Sequence, residues 1–350
     1  MTVEDETPDP RVLKPWLFEH VPGFEGLRSI AKLGGGQSNP TFLIEADSGP
    51  CVLRAQPPGE LLKSAHAVDR EYRVMRALEG SAVPVPRMFA LADDPNTSPL
   101  GRKFFVMERL NGETHAGPAL PGRTPEQRRA IFNAMCDVLA ALHGIGHEAV
   151  GLDNFGRPGD YFARQLSVWT RQYRASETDT IEPMDGLIAW LNAKMPSDDG
   201  RVSLVHGDWR LDNLMFACGE PRVIGVLDWE LSTIGHPMAD LAYQIMAWRL
   251  PHDGPFKGLG GLDRAELGLP SDDEYVARYC ERAGTERPDW FEFAVAHAAF
   301  RFAAILQGVF KRSIQGNASD PMRARQLGRA VPMLASMALD WVGEGDRNGA

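Results

Sequence analysis

One stretch, Ser203-Leu-Val-His-Gly-Asp-Trp-Arg-Leu-Asp-Asn213 with Leu-Met-Phe216 behind it, limits what this chain can fold into more than any other. A short apolar entry leads to His206 and Asp208, Asn213 follows Asp208 at five residues, and apolar residues resume at once. A second aspartate, Asp228, ends the run Val223-Ile-Gly-Val-Leu227. The spacing predicts a loop and then a hairpin whose far strand returns Asp228 beside that loop. Phosphoryl transfer needs such a set: a carboxylate to orient and deprotonate the attacking hydroxyl, and amide and carboxylate oxygens for Mg2+. In that scheme Asp208 is the base, while Asn213 and Asp228 hold the metal. The motif His-x-Asp-x-x-x-x-Asn alone also describes a loop with a capping Asp and a turn Asn. Asp228 after its apolar strand is what weighs toward chemistry.

The remaining residues bound the problem. At 350 residues the chain has room for about two domains. Its net charge of −10 argues against a general nucleic-acid or membrane-surface binder. No run is read as reaching the eighteen or so apolar residues of a membrane span. The acidic start, Met-Thr-Val-Glu-Asp-Glu, is not a signal peptide. Cys51, Cys136, Cys218 and Cys280 are scattered, and read as reduced, buried thiols of a cytoplasmic protein. Residues 1–28 read as a strap. Strands are expected at 29–33, 40–47 and 51–55, with Gly34-Gly-Gly36 and Gln37-Ser-Asn39 forming a tight turn. Backbone N–H groups at Gly35 and Gly36, with Ser38 and Asn39 as added donors, could cradle phosphate; an ordinary glycine hairpin is the plainer alternative. Ser64 can cap a helix running to Leu78 with Val68, Tyr72, Met75 and Leu78 inward. Glu71 falls on the same face and calls for a cationic partner, for which Arg54 is placed; otherwise it is a surface Glu at the stripe's edge. Further strands fall at 87–92 and 103–110. Capping boxes at Thr124-Pro-Glu-Gln127 and at Ser271-x-x-Glu274 open helices, a long apolar helix covers 289–311, and a last one covers 322–342.

His206-Gly-Asp208, Asn213 and Asp228-Trp-Glu230 resemble the motifs of the aminoglycoside phosphotransferases, small-molecule kinases that share the protein-kinase fold. The resemblance covers about residues 25–340. It implies an α+β, two-lobed kinase-like fold: an N-terminal nucleotide-binding lobe at 1–110, with an antiparallel sheet and one main helix, and a mostly helical catalytic and acceptor-binding lobe at 111–350. It implies ATP and Mg2+ as cofactors. Arg54 then stands where such folds usually carry a phosphate-binding lysine, paired with Glu71. The segment 103–110 becomes the connection between lobes, with backbone at Glu108 to Leu110 meeting the adenine edge and Met107 near its ring. Asp240 braces the catalytic loop, and His236 is a turn residue. Arg210 either shields charge during transfer or braces Asp208.

Gly35-Gly-Gln-Ser-Asn-Pro40, Ser64-Ala-His-Ala-Val-Asp-Arg-Glu-Tyr72, Gln172-Tyr-Arg-Ala-Ser-Glu177 and Ala304-Ile-Leu-Gln-Gly308 look closer to the kinase-like domains fused to, or encoded beside, acyl-CoA dehydrogenases. That subgroup also carries Val-Leu-Arg at the third strand. The likeness implies a hydroxyacyl-CoA acceptor and a functional link to an acyl-CoA dehydrogenase. Charge is an independent pointer: residues 301–329 hold six Lys and Arg against Asp320, and residues 161–174 hold three Arg and no acid. Arg164, Trp169, Arg301 and Lys311 are the acceptor-binding candidates for an anionic small molecule. The alternative is that these cations are solvated helix faces, and the acid-rich stretch 263–292 could instead serve a cationic acceptor. An aminoglycoside or choline-type kinase, and a pseudokinase that binds nucleotide without turnover, are the competing functions.

Overall fold

The sheet expected before residue 111 is present, with five strands in the order β1-β2-β3-β5-β4 and every neighbouring pair antiparallel. The computed structural model describes residues 7–34, 39–58, 67–316 and 320–348. By contacts the chain forms two compact units: Met1–Thr114 with Glu148–Leu152 and Asp212–Ser232, and His115–His147 with Asp153–Leu211 and Thr233–Ala350.

The first unit opens with a helix, α1 (Pro10–His20), where the sequence reads as a strap. Asp9 accepts from the Arg11 N–H at 2.8 Å, and proline occupies the first helical position. Pro15 inside the helix disguises it, because an interior proline costs about 3 kcal/mol. Leu13 and Leu17, both fully buried one turn apart, offset that with about 1.5–3 kcal/mol each. They pack in one cluster with Phe42, Ile44, Leu53 and Phe104 of the sheet. Strands β1 (Leu27–Lys32), β2 (Thr41–Ala46) and β3 (Cys51–Ala55) follow, then α2 (Val68–Leu78), β4 (Met88–Ala92), β5 (Phe104–Glu108) and a short β6 (Gly112–Glu113). Gly49, at φ 109°, makes the β2–β3 turn that a side chain would resist. Ser64 lies outside the described residues, but the cap expected there is not found: α2 begins at Val68, and its N-cap position is Ala67, whose side chain cannot accept a capping hydrogen bond.

The second unit begins with α3 (Pro125–His143), whose capping box is closed in both directions: Gln127 N–H to Thr124 Oγ1, and Thr124 N–H to Gln127 Oε1. Then come α4 (Tyr161–Ser176), α5 (Glu182–Ala193) and β7 (Ser203–Val205). The chain re-enters the first unit as the hairpin β8 (Leu214–Ala217) and β9 (Val223–Val226), in a sheet ordered β6-β8-β9. In the second unit β10 (Thr233–Gly235) pairs with β7, and α6 (Met238–Arg249), α7 (Asp272–Ala283), α8 (Phe291–Ile314), α9 (Pro321–Gly328) and α10 (Ala330–Asn348) complete the fold. The single last helix expected at 322–342 is therefore two helices.

Helix α8 packs against α4, α6 and α10. Contrary to expectation, it holds a window with mean hydropathy 1.5, long and apolar enough by composition for a membrane span. That window is 67% buried within the protein, as befits a core helix. Among the cysteines, Cys51, Cys136 and Cys280 are buried, whereas Cys218 is exposed.

Candidate active site

In the first unit, β3 projects Arg54 toward two acidic side chains. Its Nε lies 3.0 Å from Glu71 of α2, so the expected ion pair is present, and its Nη2 donates to Asp228 Oδ1 at 2.7 Å. Glu71 is 1% exposed and also accepts from Asn39 Nδ2 at 2.9 Å; the same amide reaches Glu230 Oε2 at 3.3 Å. Burial pushes the Glu71 carboxyl up to about 7, against the pull of Arg54 and with the help of the Asp228 and Glu230 charges.

Asp228 is in the left-handed region at φ 64° and ψ 58°, a conformation uncommon outside glycine that costs about 1–3 kcal/mol. The hairpin enforces it. Leu214 pairs with Val226, and the Leu227 N–H donates to the Asn213 carbonyl at 2.9 Å, so Asp228 turns away next to Asn213. Oxygens of Glu71, Asp228 and Glu230 lie within 4.8 Å of one another. Three carboxylates around one arginine leave an excess of negative charge, and the hard-oxygen donors suit a divalent cation such as Mg2+.

Arg54, Glu71 and Asp228 line one wall of an open pocket of about 740 Å³, and Met107, Glu108 and Leu110 line another part of it. Gly225 on β9 makes room there, because a Cβ would overlap the Leu110 side chain. The Glu108 N–H donates to the Arg87 carbonyl at 2.8 Å. Asn39 does not line the pocket; it holds Glu71 from behind. Gly35, Gly36 and Ser38 lie outside the described residues.

In the second unit the loop after β7 is held almost atom by atom. Asp240, 1% exposed in the first turn of α6, accepts from the His206 N–H at 2.6 Å and the Gly207 N–H at 2.7 Å. It also contacts His143 Nε2 at 3.2 Å, while His143 Nδ1 meets the Tyr279 hydroxyl at 2.7 Å. Burial alone would raise the Asp240 carboxyl; hydrogen bonds from His143 and the loop outweigh it and hold the group below its ordinary value. His206 Nδ1 accepts from the Asp208 N–H at 3.2 Å. Arg301 of α8 donates to the Gly207 carbonyl at 2.8 Å. Asp240 thus braces the loop as expected, and its negative charge is matched by backbone donors.

Arg210 Nε sits 3.6 Å from Asp208 Oδ1. His236 is buried, accepts from the Met238 N–H at 3.1 Å and pairs with Asp199 at 3.0 Å, the part of a turn residue.

The four acceptor candidates are not gathered together. The Arg301 guanidinium lies 5.6 Å from the Trp169 ring. Lys311, ten residues further along α8, is about 15 Å away at the helical rise, and it donates to the Ala175 carbonyl. Arg164 donates to the Arg157 and Pro158 carbonyls. Sequence reasoning missed His143, the second role of Asn39, and Tyr243, a buried ring 5.8 Å from the Arg301 guanidinium. Tyr243 had a signal: it lies three residues after Asp240, on the same helical face. His143 had none.

A model of the phosphotransferase enzyme family matches residues 29–294. Acyl-CoA dehydrogenase family member 10 of Mus musculus is 44% identical over 317 residues, which cover 90% of this chain and 29% of that protein. The chain therefore spans under a third of that relative's length. A Ralstonia eutropha JMP134 crystal structure, provisionally called an aminoglycoside phosphotransferase, superposes with a TM-score of 0.87 at 43% identity, covering 96% of this chain and 98% of that one. A thermostable mutant aminoglycoside phosphotransferase in ternary complex with AMP-PNP and hygromycin B gives a TM-score of 0.57 at 16% identity, covering 92% and 98%. That last likeness concerns the fold alone.

Proposed function

Because this chain belongs to the phosphotransferase enzyme family and is a kinase acting on hydroxyl groups, we propose that it transfers the γ-phosphoryl group of ATP to the hydroxyl of a hydroxyacyl-CoA. The observation that carries the phosphoryl-transfer part is the constellation Arg54, Glu71 and Asp228 on the wall of one pocket. In this reading Arg54 turns its guanidinium fork to phosphate oxygens, and Glu71 and Asn39 keep the fork aimed. Arg109 and Leu110 backbone meets the base edge, with Met107 against the ring. Asp228 and Asn213 would hold Mg2+, which supplies charge neutralisation at the phosphate oxygens. Asp208 takes the proton as the acceptor oxygen bonds to phosphorus, the bond to the bridging oxygen breaks, and ADP leaves. Arg210 steadies the Asp208 carboxylate.

Two things support the acyl-CoA acceptor. The relative of matching sequence carries an acyl-CoA dehydrogenase name, and the basic residues of α4 and α8 suit an anionic molecule better than a polycationic one. Arg301 beside Trp169 is the pair we assign to the acceptor; Arg164 and Lys311 contribute at most to long-range attraction. A functional link to an acyl-CoA dehydrogenase, in the cytoplasm, goes with this reading.

One contact favours a second reading. In this structure Arg54 Nη2 sits on Asp228 Oδ1, a metal-ligand oxygen, as a pseudokinase that binds nucleotide without turnover could arrange it. An ATP-consumption screen across hydroxyacyl-CoAs, aminoglycosides and choline separates the possibilities. Consumption with a hydroxyacyl-CoA is the expected result. Consumption only with an aminoglycoside or choline would reassign the acceptor, and tight ATP binding with no turnover would favour the pseudokinase.

A further inference from the structure

Helix α8 carries a half-open face that leads away from the loop bearing Asp208. Arg301, Ile305, Gly308 and Arg312 follow one another at four, three and four residues, so they share one side of the helix. The first three are half-buried and Arg312 is exposed, whereas Ala303, Ala304, Leu306 and Gln307 on the other sides are buried. At the near end Arg301 Nη1 donates to the Gly207 carbonyl at 2.8 Å, in the peptide just before Asp208, and the guanidinium lies 5.6 Å from the Trp169 ring. Beside the stripe, Phe302 meets Phe256 edge-on with ring centroids 4.9 Å apart. At the far end the Arg312 side chain makes no ion pair among the described residues.

Gly308 is the position that packing does not account for. Glycine is the poorest helix former after proline, yet it stands inside α8. The helical glycines Gly186 and Gly328 have Leu339 and Phe310 against the place where a Cβ would stand. A Cβ on Gly308 would meet only Arg312 Nη1 within 4 Å, at 3.8 Å. The missing side chain leaves room on the open face, between an isoleucine and a guanidinium.

We propose that this face is the track of the acceptor's coenzyme A arm: the acyl end enters at Arg301 and Trp169, the pantetheine chain lies over Ile305 and Gly308, and the diphosphate meets Arg312. The proposal rests on the reading of the acceptor as a hydroxyacyl-CoA. Charge supports it, because a guanidinium without a carboxylate partner suits a diphosphate and can bind it through paired hydrogen bonds. Length supports it as well. Arg301 and Arg312 are eleven residues apart, which places their Cα atoms about 16 Å from each other along the axis. About thirteen bonds separate the thioester sulfur of a CoA ester from its nearest phosphorus, and an extended chain of that many bonds spans about 15 Å. Lys311, next in sequence, points elsewhere and donates to the Ala175 carbonyl of α4, so the track does not include it. A polycationic acceptor would gain nothing from Arg312 and would be repelled by it.

The experiment uses the full chain and two readouts. Calorimetric binding of free CoA reads the track. Turnover of the hydroxyacyl-CoA most active in the acceptor screen, and of the same acyl group on pantetheine, reads the reaction. Arg312→Ala should weaken CoA binding by about tenfold or more and lower kcat/KM for the CoA ester by a similar factor, while kcat/KM for the pantetheine ester stays within about twofold. Gly308→Leu should weaken CoA binding and slow both esters, because its side chain fills the track. Its chemical-denaturation midpoint should not fall, since leucine is the better helix former. Both variants should bind Mg2+–AMP-PNP within about twofold of wild type. Wild-type CoA affinity in both variants would overturn the track while leaving the acceptor reading to stand on turnover. CoA binding that weakens as expected in the variants, with no turnover of any hydroxyacyl-CoA by the wild type, would keep the track and remove the acceptor reading. A wild-type chain that neither binds CoA nor turns over its esters would take down both.

Discussion

Arg54, Glu71 and Asp228 in the first unit, and Asp240, His143 and Arg301 in the second, are both networks of largely buried charge, yet they differ in what their carboxylates hold. Asp240 is occupied by two backbone N–H groups and an imidazole, partners that are part of the fold and have nowhere else to go. Glu71 and Asp228 are held instead by the side chain of Arg54, with the Asn39 amide also on Glu71, and Asp228 is 34% exposed in a left-handed conformation. The first arrangement satisfies the chain. The second holds exchangeable partners in readiness, and strain at Asp228 is tolerated where a ligand can use the carboxylate. Burial and charge are common to both networks; in the proposed function, partners that a ligand can replace are what fit the first one to nucleotide.

The sharpest way to break this contrast is Asp240→Ala. It leaves two buried N–H groups and His143 without their acceptor, so stability should fall by about 3 kcal/mol or more, seen as a clear drop in chemical-denaturation midpoint. A protein as stable as wild type would mean that the loop does not depend on Asp240.

Arg54→Ala should act on function rather than stability. Charge-assisted contacts contribute about 1.5–3 kcal/mol each, so a loss of about ten- to hundredfold in kcat/KM is expected. Arg54→Lys should recover part of it, since an ammonium cannot reproduce the fork. Glu71→Ala should lose a similar amount, with the double variant less than additive; full additivity would show that the two do not work as a unit.

A smaller effect is a pH dependence specific to the first unit. The folded Glu71 carboxyl sits near 7, above its ordinary 4.5, so the folded state binds the extra proton between those values. Its contribution to stability is fully present below the ordinary value and is lost as pH rises through about 7. Glu71→Gln should flatten that part of the stability profile. The ionised Glu71–Arg54 pair forms over the same window, so Mg2+–AMP-PNP binding should strengthen as pH rises through it, and this rise should vanish in Glu71→Gln. The least effect is expected far from both networks: Ser271→Ala, which opens the α7 capping box, should cost about 1 kcal/mol of stability and leave turnover unchanged.

How much of this was legible depended on whether the signal was local. The five-stranded sheet, the Thr124 and Ser271 caps and the Arg54–Glu71 pair all follow from alternation, capping chemistry or a strand-to-helix spacing within a short segment. Helix α1 was hidden because Pro15 outweighs Leu13 and Leu17 when only propensity is visible, whereas burial of both leucines decides the folded state. The break at Arg329 between α9 and α10 does carry a local signal, Gly328 with Pro332 four residues on, which the reading of a single apolar stripe over 322–342 passes over. The Arg301 contact with Gly207 joins residues ninety-four apart, and no periodicity reports such a pairing. Charge marks Arg301 in the sequence, but charge does not report the backbone contact it makes.

In the proposed reaction the first network holds nucleotide and Asp208 takes the proton. Calorimetric Mg2+–AMP-PNP binding and ATP turnover with a hydroxyacyl-CoA, measured side by side on Asp208→Asn and Asp228→Ala, test it most directly. Asp208→Asn should bind nucleotide as the wild type does and lose at least about a hundredfold in turnover, because its amide cannot accept the proton. Asp228→Ala should lose nucleotide binding itself. Wild-type turnover in Asp208→Asn, or unchanged Mg2+–AMP-PNP affinity in Asp228→Ala, would contradict the account.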